Sequence, residues 1–143
     1  MKFLPLLPEL LLAIATVGPA NAADFPPGVV ELVNCFSSGQ VAYRDAFSIA
    51  QALDASSEGT EWQAGIPMRS LNAEATYFNK GWGSRINTDL FGQLVLDITQ
   101  GCWTQSGQAN NLPGAGYASF FVGNRIAGVV CVNANGATNN CPH

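Results

Sequence analysis

Two stretches of the chain carry apolar residues at helical spacing. Ala42, Ala46, Ile49, Ala50 and Leu53 recur at i, i+4, i+7, i+8 and i+11, while Arg44, Asp45, Gln51 and Asp54 fall outside that stripe. This predicts a first helix over 41–54, with the Ser37-Ser38-Gly39 turn before it placed to supply an N-cap. Leu90, Phe91, Leu94, Val95 and Ile98 make a second stripe. Its helix starts near Asn87 or Thr88, both acceptable caps, with Asp89 favourable in the first turn. Gly101 is placed to end it in a left-handed cap directly before Cys102.

Shorter runs read as strands. Residues 29–36 (VVELVNCF) are β-branched and apolar, and Cys35 shares a face with Val33 and Val29. Residues 73–79 (AEATYFN) form a second run, closed by Lys80-Gly81-Trp82-Gly83. Residues 117–122 and 126–132 read as a hairpin around Gly123-Asn124, a suitable two-residue type II′ turn. Residues 55–67 and 105–116 are rich in Gly, Ser, Asn and Pro and read as loops, and 24–28 with Pro26-Pro27 as an extended leader. The tail after Val132 is low in apolar residues and needs Cys141 to pin it. The order strand, helix, strand, helix, hairpin predicts an α+β fold, a small antiparallel sheet packed against two amphipathic helices.

The N-terminus reads as an address. Lys2 precedes an apolar stretch densest over 10–17, Gly18 and Pro19 break it, and Ala20-Asn21-Ala22 is the small-x-small pattern of a signal-peptidase site. A membrane anchor needs about 20 apolar residues, and Glu9 with three prolines in the first nineteen residues argues against one. The expectation is a signal peptide over 1–22 and a single secreted domain over 23–143. Cys35, Cys102, Cys131 and Cys141 all lie in the secreted part. An even count in a secreted chain reads as two disulfides, with three pairings open. The favoured one joins Cys131 to Cys141 and Cys35 to Cys102.

Composition narrows the chemistry. The 143 residues carry six Lys plus Arg against ten Asp plus Glu, a net charge of −4. Charged residues are 11%, where about 25% is usual for a soluble domain, so nucleic acid and anionic membrane surfaces are poor partners. The single His is the last residue, His143, which removes His-dependent catalysis and a Cys/His zinc site. Gln100-Gly101-Cys102-Trp103 resembles the Cys-Trp step of papain-type proteases, yet no base is at hand to make the thiolate. A guanyl-type ribonuclease would need His with Glu and clustered Arg, and Arg44, Arg69, Lys80, Arg85 and Arg125 are scattered. A glycosidase would draw its carboxylate pair from Glu58, Glu61, Glu74 and Asp89, and no spacing singles out two of them. Nothing calls for a cofactor or a metal, and the chain does not read as an enzyme.

The aromatic residues are the more suggestive set. Trp62, Trp82 and Trp103 lie in segments read as loops or element ends, and Tyr117 follows a Gly-rich loop. Trp82, Trp103 and Tyr117 form the candidate binding surface, with Trp82, flanked by glycines, the expected exposed one. Flat aromatics can stack on sugars or anchor a protein contact, and in a domain this small they can instead close the ends of the core.

Taken together, the chain resembles small secreted fungal proteins of the effector type and, more narrowly, the killer-toxin-like effectors, a group of α/β sandwiches. The likeness is carried by Cys35 on the first strand and by the helix from Val41. It continues through Gly83-Ser84-Arg85-Ile86, which leads into the helix ending Gln100-Gly101-Cys102, and through the terminal hairpin with Cys131. The group often has a further cysteine soon after the helix-ending one, and Trp103-Thr104-Gln105-Ser106-Gly107 has none. The resemblance implies a secreted, non-enzymatic protein acting on a host or competitor cell, and transfers no catalytic residue. The partner expected is a host or competitor-cell protein. The alternative is a cell-wall polysaccharide, bound through the exposed tryptophans.

Overall fold

A computed structural model describes residues 25–142 of the chain. The signal-peptide reading over 1–22 and His143 lie outside the described residues. The chain begins on β1 (Val29–Cys35), reached through a turn in which Val29 N–H donates to Pro26 O at 3.2 Å. A two-residue strand β2 (Val41–Ala42) leads into α1 (Tyr43–Asp54), followed by β3 (Glu61–Gln63), β4 (Met68–Ser70), β5 (Ala73–Asn79) and β6 (Arg85–Asn87). Then come α2 (Thr88–Cys102), the short α3 (Gln105–Ala109), β7 (Pro113–Gly114), β8 (Gly116–Val122) and β9 (Arg125–Ala134). A 3-10 turn, Thr138–Asn140, precedes Cys141.

Five strands form one antiparallel sheet in the order β1-β8-β9-β5-β4, and β2 with β7 and β3 with β6 make two small ribbons. The α+β reading holds: α1 and α2 lie together on one face of the sheet. Ala46, Ile49 and Leu53 of α1 and Phe91, Leu94, Val95 and Ile98 of α2 meet Ala75, Tyr77, Ala118, Phe120, Val130 and Val132 of the sheet, all buried. The hairpin forms as expected. Val122 pairs with Arg125 across two residues, and Gly123 takes a φ of +61°, the left-handed region that the first position of a type II′ turn demands. The strand over 73–79 falls on β5, and Asn87 caps α2, its Oδ1 accepting from Asp89 N–H at 2.8 Å.

Four local expectations are corrected. The first helix starts at Tyr43, because Val41 and Ala42 pair with Gly114 and Pro113 instead. Its N-cap is Ala42, which offers no side-chain acceptor, so the 37–39 turn does not cap it. Gly101 does not end α2, which runs through Cys102 to an extended C-cap at Trp103. The glycine serves close approach: a Cβ there would stand 3.2 Å from Val33 Cγ1 of β1. The two segments read as loops each hold short elements, β3 in 55–67, and α3 with β7 in 105–116. They are too short and too polar to give a periodic signal.

The cysteines pair as Cys35–Cys102 and Cys131–Cys141. The first joins the end of β1 to the end of α2, and the second folds the polar tail back onto β9.

Tight packing over the middle of the sheet gives a direct test. A Cβ at Gly128 of β9 would lie 2.7 Å from both the Phe120 and Tyr77 rings, which lean over that backbone from the two neighbouring strands. Gly128→Ala is expected to cost about 1–3 kcal/mol, read as a lowered urea midpoint. An unchanged midpoint would mean the rings have room the fold does not give them.

Candidate functional site

Successive strand residues point to opposite faces, so the face turned away from the helices is made of the other half of each strand. The registers align it in rows. Val30, Phe121 and Ile126 form the first, and Leu32, Ser119, Val129 and Phe78 the second. Asn34, Tyr117, Cys131 and Thr76 form the third, and Asn133, Glu74 and Arg69 the fourth. The face grades from apolar at one end to polar at the other.

The C-terminal tail covers the polar end. Asn133 Nδ2 donates to Ala137 O at 2.6 Å, and Cys131–Cys141 ties the tail down beside it. Glu74, with no exposed surface, accepts from Gly136 N–H at 3.0 Å, from the Thr138 hydroxyl, and from Arg69 Nε at 3.1 Å. Burial alone would push its carboxyl up. Thr138, Gly136 and Arg69 outweigh that and hold it below the ordinary carboxylate value. The tail thus reads Glu74 as a folding anchor, not as a catalytic acid.

The apolar end is open. Val30 is 61% and Leu32 57% exposed on β1, and Ile126 is 40% exposed on β9. Among the described residues β1 has a neighbour strand on one side only, so its outer edge also offers backbone donors and acceptors. On the inner face of the same strand, Glu31 faces Asp97 of α2; burial first, then hydrogen bonding with Asp97 and its charge, raise the Glu31 carboxyl. Neither was singled out in sequence. The signal was there: Glu31 lies between Val29 and Val33 on the inward face, and Asp97 lies four residues before Gly101.

The three aromatics expected to share a surface do not. Trp103 is 2% exposed, its ring against the Gly114 backbone and 6.3 Å edge-on from Tyr43, so it is a core residue and not a binding one. Trp82 is 36% exposed, the most open of the three tryptophans, but its edge packs on buried Phe120 at 5.6 Å on the helix side of the sheet. Its turn is pinned by Trp82 N–H donating to Ala127 O at 2.9 Å and by the Tyr77 hydroxyl donating to Gly83 O at 2.6 Å. Tyr117 is half-buried on the outer face, stacked on Phe36 at 6.2 Å. Trp62 is half-buried too, with Nε1–H donating to Ile66 O at 2.7 Å.

The carboxylates considered for catalysis are likewise dispersed. Glu74 is on the outer sheet face, while Asp89 borders a cleft of about 530 Å³ between α1 and α2, with Asp54, Gln51 and Gln93 and an apolar floor including Phe47 and Leu96. Among the described residues no three His, Cys, Asp or Glu side chains stand together as metal ligands, and no helix is long and apolar enough to cross a membrane. No known protein family, curated protein or solved structure matches the chain.

Two measurements follow from the geometry. A carboxyl held low by its fold contributes stability above its unfolded value and loses it as pH falls through the folded one. The urea-midpoint gap between wild type and Glu74→Gln is therefore expected to be widest near neutrality and to close below pH about 4; a gap independent of pH would contradict the anchor role. Trp82→Ala is expected to remove most acrylamide-quenchable fluorescence, since Trp103 is buried and Trp62 half-buried. Undiminished quenching would place another tryptophan at the surface.

Proposed function

We propose that this is a secreted, disulfide-stapled protein of the effector or toxin type, which acts by binding a protein on a host or competitor cell and performs no chemistry of its own. The observation that carries the reading is the open apolar end of the outer sheet face. Val30 and Leu32 are large and exposed on β1, whose end is anchored by Cys35–Cys102, and Ile126 of β9 is exposed in the Val30 row with half-buried Phe121 of β8 between them. Contiguous exposed apolar surface on a stapled, rigid scaffold is the usual mark of a protein contact. The free edge of β1 adds the option of pairing with an extended segment of the partner.

Secretion is supported by the N-terminal leader pattern and by two disulfides, which persist in oxidising compartments. The reading also draws on the sequence likeness to killer-toxin-like effectors carried by Cys35, Gly83-Ser84-Arg85-Ile86 and Gln100-Gly101-Cys102. The cell-wall carbohydrate reading draws less from the geometry, because Trp82 and Tyr117 face opposite sides of the sheet and Trp103 is inside.

The test is a Val30→Asp/Leu32→Asp double variant, whose side chains point away from the core. It is expected to melt within a few degrees of wild type and to lose at least tenfold in affinity for intact cells that the fluorescent wild-type protein labels, since charge at an apolar contact costs about 2 kcal/mol or more. Undiminished labelling by the variant would overturn the surface assignment. Multiple turnover of RNA, glycan or peptide by purified protein would overturn the non-enzymatic reading.

A further inference from the structure

The seam between β1 and α2 contains an arrangement that packing alone would not choose. Strand positions 31, 33 and 35 face helix positions 97, 101 and 102 in turn. Cys35 is bonded to Cys102, Val33 fills the space left by Gly101, and Glu31 meets Asp97. Asp97 is 8% exposed, and Gln93 Nε2 donates to its Oδ1 at 3.1 Å from one turn earlier on α2. Across from Glu31 on β8 stands Phe120, apolar and fully buried. Among the described residues, the charge that acts on Glu31 is that of Asp97. Asp89, the other acidic residue of α2, is about two turns away.

Two carboxylates brought face to face by the Cys35–Cys102 and Val33–Gly101 contacts of one seam do not both stay ionised. They share one proton, one oxygen donating and the other accepting. Burial first, then the hydrogen bond and charge of Asp97, push the Glu31 carboxyl up to about 9. We propose that the Glu31–Asp97 pair is a pH-sensitive latch, which seats edge strand β1 on α2 while it holds its shared proton and releases the strand when that proton is lost.

The geometry sets the direction of release. Cys35–Cys102 keeps the far end of β1 bonded, so repulsion between two carboxylates lifts the strand from its Val29 end, with the disulfide as hinge. Lifting β1 uncovers Phe120 and displaces Val30 and Leu32, so the apolar surface is assembled in acid to neutral conditions and lost in alkali. The sign follows from linkage. With a folded pKa raised above the unfolded value near 4.5, the pair's contribution is fully present below the unfolded value. It is lost as pH rises towards the folded one, by up to tenfold in the folding constant per pH unit.

Two readouts test the latch. In the wild-type protein, carboxyl carbon NMR across pH 3–10 is expected to show a Glu31 midpoint at least two units above that of an ordinary glutamate. A midpoint within one unit of the ordinary value overturns the proposal. In urea titrations between pH 5 and 9, Glu31→Gln, which keeps the hydrogen bond to Asp97 without the second charge, is expected to abolish most of the wild-type fall in folding constant. Equal slopes in the two proteins overturn it. Should the variant not fold, hydrogen-exchange protection in wild-type β1, corrected for intrinsic rates, decides the strand movement. Protection that falls at least tenfold between pH 6 and 9 while the disulfide stays intact supports release, and constant protection contradicts it.

Discussion

The contact between β1 and α2 is the constraint on which the rest of the structure depends. β1 is the edge of the sheet and has one neighbour strand, β8. An edge strand with a single ladder is held weakly by backbone pairing alone. Here the same strand is also bolted to the helical layer by Cys35–Cys102 and fitted into it at Val33 and Gly101. Sheet and helices are thereby locked at one margin, and the core between Phe120, Ile98 and Leu94 is closed on that side. Elsewhere the Trp82 turn covers Phe120 from the helix side of the sheet, and the tail tied to Glu74 and Cys131 covers the polar end of its outer face.

This division of labour explains why one side of the sheet is half-covered. Glu74, Asn133 and Cys131 need the tail, because a carboxylate, a carboxamide and a disulfide on a sheet face must be satisfied or shielded. Tied down at Cys141, the tail lies over the rows it serves. The rows of Val30 and Leu32 carry side chains with no polar demand and stay exposed among the described residues. The fold therefore leaves an apolar surface on its most firmly bolted strand. A binding surface benefits from such rigidity, because little ordering entropy is lost when a partner arrives.

Much of this was legible in the chain. The stripes of α1 and α2, the Asn87 cap, the 73–79 strand and the Gly123 turn all rest on strong local signals, and all appear. Where structure and local pattern differ the cause is shared: a tertiary partner overrides the local signal. Gly101 looks like a helix stop until Val33 is placed against it. Trp103 looks exposed among polar neighbours until the β2–β7 ribbon covers it. Val41 looks helical until Gly114 pairs with it. The inner-face carboxylate was visible in the alternation of VVELVNC, and only its partner Asp97, on a helix more than sixty residues away, needed the fold to find.

The proposed binding surface and the acid pair beneath it both require that β1 be joined to α2, and that the tail be joined to β9. Mapping the disulfides of the natively folded protein by mass spectrometry of unreduced proteolytic fragments examines this most directly. The account predicts one cross-linked fragment pair holding Cys35 with Cys102 and another holding Cys131 with Cys141. Cys35 linked to Cys131 or Cys141 would contradict it, for β1 would then be bonded away from α2 and the seam could not form.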